Sequence, residues 1–159
     1  MVATLSTQLK QNRPFFSREE EALIGLRMAA ARVIAPWAQF LKTTADLSNS
    51  QYNVLRILRG SSEGLTCGEI GERTVARDPD ITRLVDRLAK RGLVRRIRSQ
   101  TDRRVVQVQI TKKGLDLLSD LDPHVQRMPR ALLGHLNQTQ LQQLSRLLSE
   151  VLDGMGTFP

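Results

Sequence analysis

At 159 residues and 40% hydrophobic content, the chain has the size of one domain with a real core, so neither disulfides nor a structural metal is needed to hold it together. Its formal net charge of +8 points to a polyanionic partner, nucleic acid or an anionic membrane surface, without choosing between them. The single cysteine, Cys67, excludes an intrachain disulfide, and His124 and His135 lie too far from it in sequence to give metal-ligand spacing; aromatics at 4% argue against a base-stacking platform for single strands or RNA.

Residues 1–16 read as a flexible N-terminal arm. They hold no apolar targeting segment, and no apolar run of eighteen residues exists, so a cytoplasmic protein with no membrane partner is expected. The capping box Ser17-x-x-Glu20 then opens a long helix to about Thr44, with Leu23, Leu26, Val33, Ile34, Trp37 and Leu41 at helical spacing and Pro36 predicting a kink. Three further starts carry a leucine, a capping residue and a glutamate or glutamine three residues on. These are Leu47-Ser48-x-x-Gln51, Leu65-Thr66-x-x-Glu69 and Leu136-Asn137-x-x-Gln140.

The second helix is therefore expected from Asn49 to Arg59, burying Tyr52, Leu55 and Leu58, and the third from Cys67 to Thr74, burying Ile70. A fourth is expected to start with Asp78 as N-cap and Pro79 at N1, to turn Ile81, Leu84, Val85 and Leu88 inward, and to stop at Gly92. Two short helices joined by a tight turn make a helix-turn-helix. Leu93 to Arg98 and Val105 to Ile110 follow as the strands of a β-hairpin, with Val106, Val108 and Ile110 on the packed face and residues 99–104 as its loop. Thr111 caps a long helix running past Pro123 to Leu133, and a last helix spans Gln138 to about Leu152. The fold class is mainly α with a small β-hairpin wing. Residues 17–46 and 112–159 supply apolar-striped helices with little core of their own to cover them, which makes a homodimer the economical arrangement, and residues 47–111 form the winged lobe between them.

Charge is concentrated in that lobe. Between Thr66 and Gly114 stand thirteen basic and six acidic residues, an excess of seven out of the total +8. A solvated face would spread such charge, whereas a phosphate-binding surface collects it. An α-helix fits the major groove and offers base edges the side chains of its first turns, here Asp80, Thr82 and Arg83. Arg83 suits a bidentate pair with guanine; Asp80 suits either cytosine or the orientation of Arg83 or Arg77. The candidate DNA-binding set is Arg77, Asp80, Thr82, Arg83, Arg87, Arg98, Arg103 and Arg104, with Asp102 supporting the wing. No nucleophile–base pair, paired carboxylate or phosphate loop suggests catalysis, and neither cofactor nor metal is expected. A winged helix used only for protein–protein contact is the alternative, against which Thr82, Arg83 and the basic wing count.

Taken in order, Leu47-Ser48-x-x-Gln51-x-x-Val54-Leu55, the run from Ile81-Thr82-Arg83 to Arg91-Gly92-Leu93-Val94, and Asp102-Arg103-Arg104 followed by Val108-x-Ile110-Thr111-x-x-Gly114 resemble the MarR (multiple antibiotic resistance regulator) family of bacterial winged-helix transcription factors. The resemblance covers roughly residues 20–153. It implies a homodimer on a pseudo-palindromic double-stranded DNA operator, the fourth helix in the major groove and Arg104 in the minor groove. It further implies repression of a nearby operon and release by an oxidant or a small-molecule effector, the latter expected to be aromatic and held between the dimerisation helices and the lobe, with Arg27, Trp37 and His124 as the candidate side chains. Pro123 and Pro129 interrupt the fifth helix, and Cys67 stands outside the first helix, where peroxide-sensing members carry their thiol.

Overall fold

The computed structural model describes residues 3–74, 80–98 and 105–154. In chain order these form α1 (Leu5–Leu9), α2 (Arg18–Ala45), α3 (Asn49–Arg59), α4 (Cys67–Glu72), α5 (Ile81–Lys90), β1 (Val94–Arg98), β2 (Val106–Ile110), α6 (Lys112–Leu133) and α7 (Gln138–Gly154). The chain divides into two compact units, Met1–Leu118 and Ser119–Pro159.

In the first unit the N-terminal residues depart from the expected arm, because Thr4 caps a one-turn helix, α1, and Lys10 closes it in the left-handed conformation. Ser17 caps α2 as expected, its hydroxyl accepting from Glu20 N–H at 3.2 Å. The Glu20 carboxylate reaches past Ser17 to Phe16 N–H at 2.6 Å, so the reciprocal half of the box closes one residue early. Glu19, Glu20 and Glu21 in the first turn suit the positive end of the helix dipole. The helix runs unbroken through Pro36, where the missing N–H leaves one carbonyl, that of Arg32, without its usual partner. Asp46, at φ 49° and ψ 43°, ends it.

Capping boxes start α3 at Ser48 and Gln51 and α4 at Thr66 and Glu69, both closed in both directions. Two backbone N–H groups are satisfied at each start, which fixes where the helices begin before any packing occurs. The short α4 ends at Glu72, two residues before the expected stop. The start of α5 is a correction: its N-cap is Asp80, whose carboxylate accepts from Arg83 N–H at 3.1 Å, while Asp78 and Pro79 lie outside the described residues. A carboxylate three positions ahead of an N–H is itself a sufficient cap, so the helix opens two residues later than the Asp-Pro pair suggests.

Ile81, Leu84, Val85 and Leu88 follow at helical spacing and are buried, with Val85 and Leu88 at 0% exposure. At the far end Gly92 takes φ 71°. Its N–H bonds Ala89 C=O at 2.9 Å, and Leu93 N–H bonds Leu88 C=O at 3.0 Å, the two bonds of a Schellman stop. The chain reverses there into the antiparallel hairpin, paired from Val94↔Ile110 to Arg98↔Val106. Leu65 adds an isolated bridge on the other side of β2, exchanging backbone bonds with Val108 at 3.0 and 2.7 Å. The core of the lobe gathers Val54, Leu55, Leu58, Ile70, Val85, Leu88, Leu93 and Val108, with Leu41 and Leu47 from the end of α2 and its exit. Each such side chain gains about 1.5–3 kcal/mol over leaving it in water. Val106, which alternation places on the packed face, is instead 40% exposed, since it stands beyond the core at the outer end of the hairpin.

Thr111 caps α6 through its hydroxyl, which accepts from Gly114 N–H at 3.2 Å. The helix continues through Pro123 and Pro129 to Leu133. In the second unit Asn137 and Gln140 cap α7 reciprocally, both bonds at 2.9 Å. No residue of α7 is buried: Leu147 and Leu152 are 57% and 68% exposed, and on α2 Leu23 and Ile34 are similarly uncovered.

Candidate nucleic-acid interface

Helix α5 is the centre of the candidate site because its two faces are divided cleanly. The apolar stripe is committed to the lobe, which leaves Thr82, Arg83, Arg87 and Lys90 exposed. Arg83 does not swing freely. Its Nε lies 3.2 Å from Asp80 Oδ2, while the other oxygen of that carboxylate caps the helix through Arg83's own N–H. Of the two roles open to Asp80 in the sequence, the geometry provides the orienting one.

The hairpin braces the same helix. Arg96 on β1 shares its face with Val94 and Val108, and its Nη2 meets Asp86 Oδ1 of α5 at 2.8 Å and the carbonyl of Thr82 at 3.5 Å. On the opposite face Arg95 donates to Gln109, directly across the ladder, at 3.1 Å, and Gln109 donates to the carbonyl of Glu63 at 2.9 Å. Arg98, at the end of β1, is exposed. Arg77, Asp102, Arg103 and Arg104 fall outside the described residues.

Counting charge along the sequence treats all thirteen basic residues alike, and the structure does not. Arg91 donates to the carbonyls of Ala45 and Asp46, Lys113 to that of Arg91, and Lys112 pairs with Asp116. With Arg83, Arg95 and Arg96, six of them are therefore engaged with protein groups among the described residues, while Arg87 and Arg98 make no ion pair there. Fold-bracing arginines such as Arg91 and Arg96 carry no local signature, because their partners are backbone carbonyls or acids on other elements.

Two of the candidate effector residues, Arg27 and Trp37, stand on α2 but apart from each other. Arg27 borders a depression of about 260 Å³ with Leu9, Ile24 and Met28. Trp37 lies ten residues further along the same helix, about 15 Å away by helical rise. It donates from Nε1 to Asn49 at 2.9 Å and contacts the rings of Phe40 and Tyr52 at 5.7 and 5.0 Å. His124 is exposed on α6, in the second unit. Cys67 is half-buried at the first position of α4. No group of three His, Cys, Asp or Glu among the described residues could hold a metal ion, and no helix there is long and apolar enough to cross a membrane.

Two carboxyls at helix ends are held below their ordinary pKa. Glu69 is held down first by the backbone N–H of Thr66 and then by its hydroxyl. Asp46 is held down by the hydrogen bond and charge of Lys42, with a smaller share from Arg91.

Residues 45–105 match the model of the MarR family. Among curated proteins, the HTH-type transcriptional repressor IacR of Pseudomonas putida is 29% identical over 143 residues, covering 90% of this chain and 84% of that protein. Among solved structures, a MarR transcription factor from Planctomyces limnophilus is 40% identical with a TM-score of 0.64, covering 86% of this chain and 98% of that one. The fold also matches that of MepR from S. aureus, solved as a DNA complex, at a TM-score of 0.76 and 21% identity, over 89% of this chain and 100% of MepR.

Proposed function

We propose that this chain, which belongs to the MarR family of winged-helix transcription factors, is a repressor that binds a pseudo-palindromic operator as a homodimer and is released by a small aromatic effector. It is a DNA-binding transcriptional regulator and not an enzyme. The observation that carries the proposal is the outward face of α5, where an exposed arginine is held by the carboxylate that caps the helix. A recognition helix needs such an anchor, since an oriented guanidinium loses less entropy on forming a bidentate pair with guanine. The winged-helix module restricted to protein–protein contact is set aside, because it has no use for that arrangement and the relatives are transcriptional regulators.

In this reading Thr82 and Arg83 meet base edges, Arg87, Arg98 and Arg77 meet phosphates, and the wing places Arg104 in the minor groove with Asp102 and Arg103 supporting it. Residues 17–46 and 112–159 form the dimer interface around the lobe at 47–111, which is supported by the uncovered apolar residues of α2 and α7. Repression is supported by the function of the Pseudomonas putida relative. For the effector, the cluster of Trp37, Phe40 and Tyr52 between α2 and α3 offers flat surfaces against which an aromatic ring can stack. A cytoplasmic location belongs to the same proposal, since the operator is there.

Selection of bound duplexes from a random library, followed by fluorescence anisotropy at several salt concentrations, tests the proposal. It expects an enriched inverted repeat with half-sites about one helical turn apart and affinity that falls steeply with salt. Enrichment of no sequence would overturn it.

A further inference from the structure

We propose that Arg91 is a positioning residue whose guanidinium joins the C-terminal end of α5 to the C-terminal end of α2 and thereby sets the distance between the two recognition helices of the dimer. This rests on the dimeric DNA-binding reading above. By charge alone Arg91 belongs with the phosphate contacts, but its side chain is directed into the protein. Nη1 lies 2.6 Å from the carbonyl of Asp46 and Nη2 2.8 Å from that of Ala45, residues more than forty positions earlier in the chain.

Those two carbonyls sit where a helix leaves its acceptors unfilled and where its dipole is negative, so a planar two-pronged cation is the matching group. The α2 end is itself held in shape. Asp46 is in the left-handed conformation, Lys42 pairs with its carboxylate, and Leu47, which follows, is fully buried.

The backbone of the same corner receives α6. Lys113 Nζ donates to the carbonyl of Arg91 at 2.9 Å, Thr111 Oγ1 to that of Gly92 at 2.7 Å, and Thr111 N–H to that of Leu93 at 3.0 Å. Residues 91–93 are thus a joint at which the end of α2, the end of α5 and the start of α6 are bonded together. Two of these are interface helices and the third reads DNA. A shift of α2 or α6 cannot be absorbed at the joint while these bonds hold, so it passes to α5. That helix is about 15 Å long, and a rotation of roughly 10° about Arg91 displaces its reading end by about 2.6 Å, enough to break a base contact.

The test uses the full chain and its selected operator, together with operators carrying one base pair more or fewer between the half-sites. Anisotropy gives the affinity for each spacing and its salt dependence in wild type, Arg91→Ala, Arg91→Lys and Arg87→Ala. Wild type is expected to show a sharp optimum. Arg91→Ala flattens that profile severalfold with its salt slope unchanged, and Arg91→Lys, which keeps the charge without the fork, flattens it partway. Arg87→Ala weakens all spacings alike and reduces the salt slope by about one. If Arg91→Ala does not fold by circular dichroism, Arg91→Lys decides: an optimum as sharp as wild type overturns the proposal. An Arg91→Ala variant with wild-type sharpness and a reduced salt slope also overturns it and returns Arg91 to the phosphate contacts. A wild-type chain that prefers no duplex refutes the regulator reading itself, an outcome distinct from either of these.

Discussion

Asp80 holds Arg83 at two points, accepting its backbone N–H at 3.1 Å with one carboxylate oxygen and forming an ion pair with its Nε at 3.2 Å through the other. One side chain thus starts the proposed recognition helix and orients the arginine in its first turn. The two tasks are separable by substitution, because asparagine is as good a cap as aspartate and a poor partner for a guanidinium.

Asp80→Asn is expected to leave thermal stability almost unchanged while lowering the discrimination among base pairs opposite Arg83. Asp80→Ala additionally loses the cap, at a cost of about 1 kcal/mol in denaturant unfolding. Arg83→Ala is expected to cost about 1–3 kcal/mol at the base pairs it reads, measured as the ratio of affinities for matched and mismatched operators. Equal loss on every sequence would show that Arg83 meets only the backbone.

The Asp86–Arg96 pair gives a prediction opposite in sign to simple charge counting. Asp86→Asn removes a negative charge from the helix proposed to face DNA, which by long-range electrostatics should tighten binding to any duplex. Because the acid braces α5 against β1, the expected result is weaker operator binding with non-specific affinity equal to or above wild type. Stability should change by less than about 1 kcal/mol, since both partners are partly exposed. Tighter operator binding would remove the bracing role.

Gly114 should tolerate no side chain. A Cβ there would lie 2.4 Å from the carbonyl of Leu93 and 2.7 Å from Ile110 Cγ1. Gly114→Ala is expected to lose about 1–3 kcal/mol in chemical denaturation. Gly92 is constrained differently. At φ 71° an added methyl would meet nothing within 4 Å, so Gly92→Ala should incur only the left-handed backbone cost of about 1–2 kcal/mol, and Gly92→Asn less.

Acid should weaken the start of α4. The Glu69 carboxyl titrates below its ordinary value because Thr66 donates to its ionised form. A carboxyl with a lowered folded-state pKa stabilises the fold above its unfolded pKa, about 4.3, and that contribution disappears as pH falls through the lower folded value. Glu69→Gln keeps an acceptor but cannot titrate, so its unfolding midpoint should vary less with pH than that of wild type across this acidic range. Parallel pH profiles for the two proteins would remove Glu69 from the acid response.

What is legible in the sequence is local. The capping boxes at Ser48, Thr66 and Asn137, the stop at Gly92 and the inward stripe from Ile81 to Leu88 each depend on residues within a few positions of one another, and each lies where its spacing places it. The N-cap of α5 is misplaced by sequence reasoning because Asp78-Pro79 and Asp80 carry competing start signals two residues apart. The α1 turn is invisible there because five polar-rich residues leave no periodicity to detect. Least legible is the division of the arginines. That Arg91 faces the end of α2, and Arg96 the flank of α5, follows from tertiary packing, and neither position differs in its neighbourhood from the exposed Arg87 or Arg98.

The rung between Leu65 and Val108 has a consequence for how the protein behaves when crowded on DNA. It occupies the outer edge of β2 at its midpoint, so among the described residues the open edge of the sheet is that of β1. Unpaired edges invite a second strand, and two neighbouring dimers bring their hairpins to high local concentration. The five residues of β1 include Arg95, Arg96 and Arg98, so a like strand approaching that edge meets three guanidinium groups with its own three. Like charge along this edge is expected to oppose strand-to-strand pairing between hairpins.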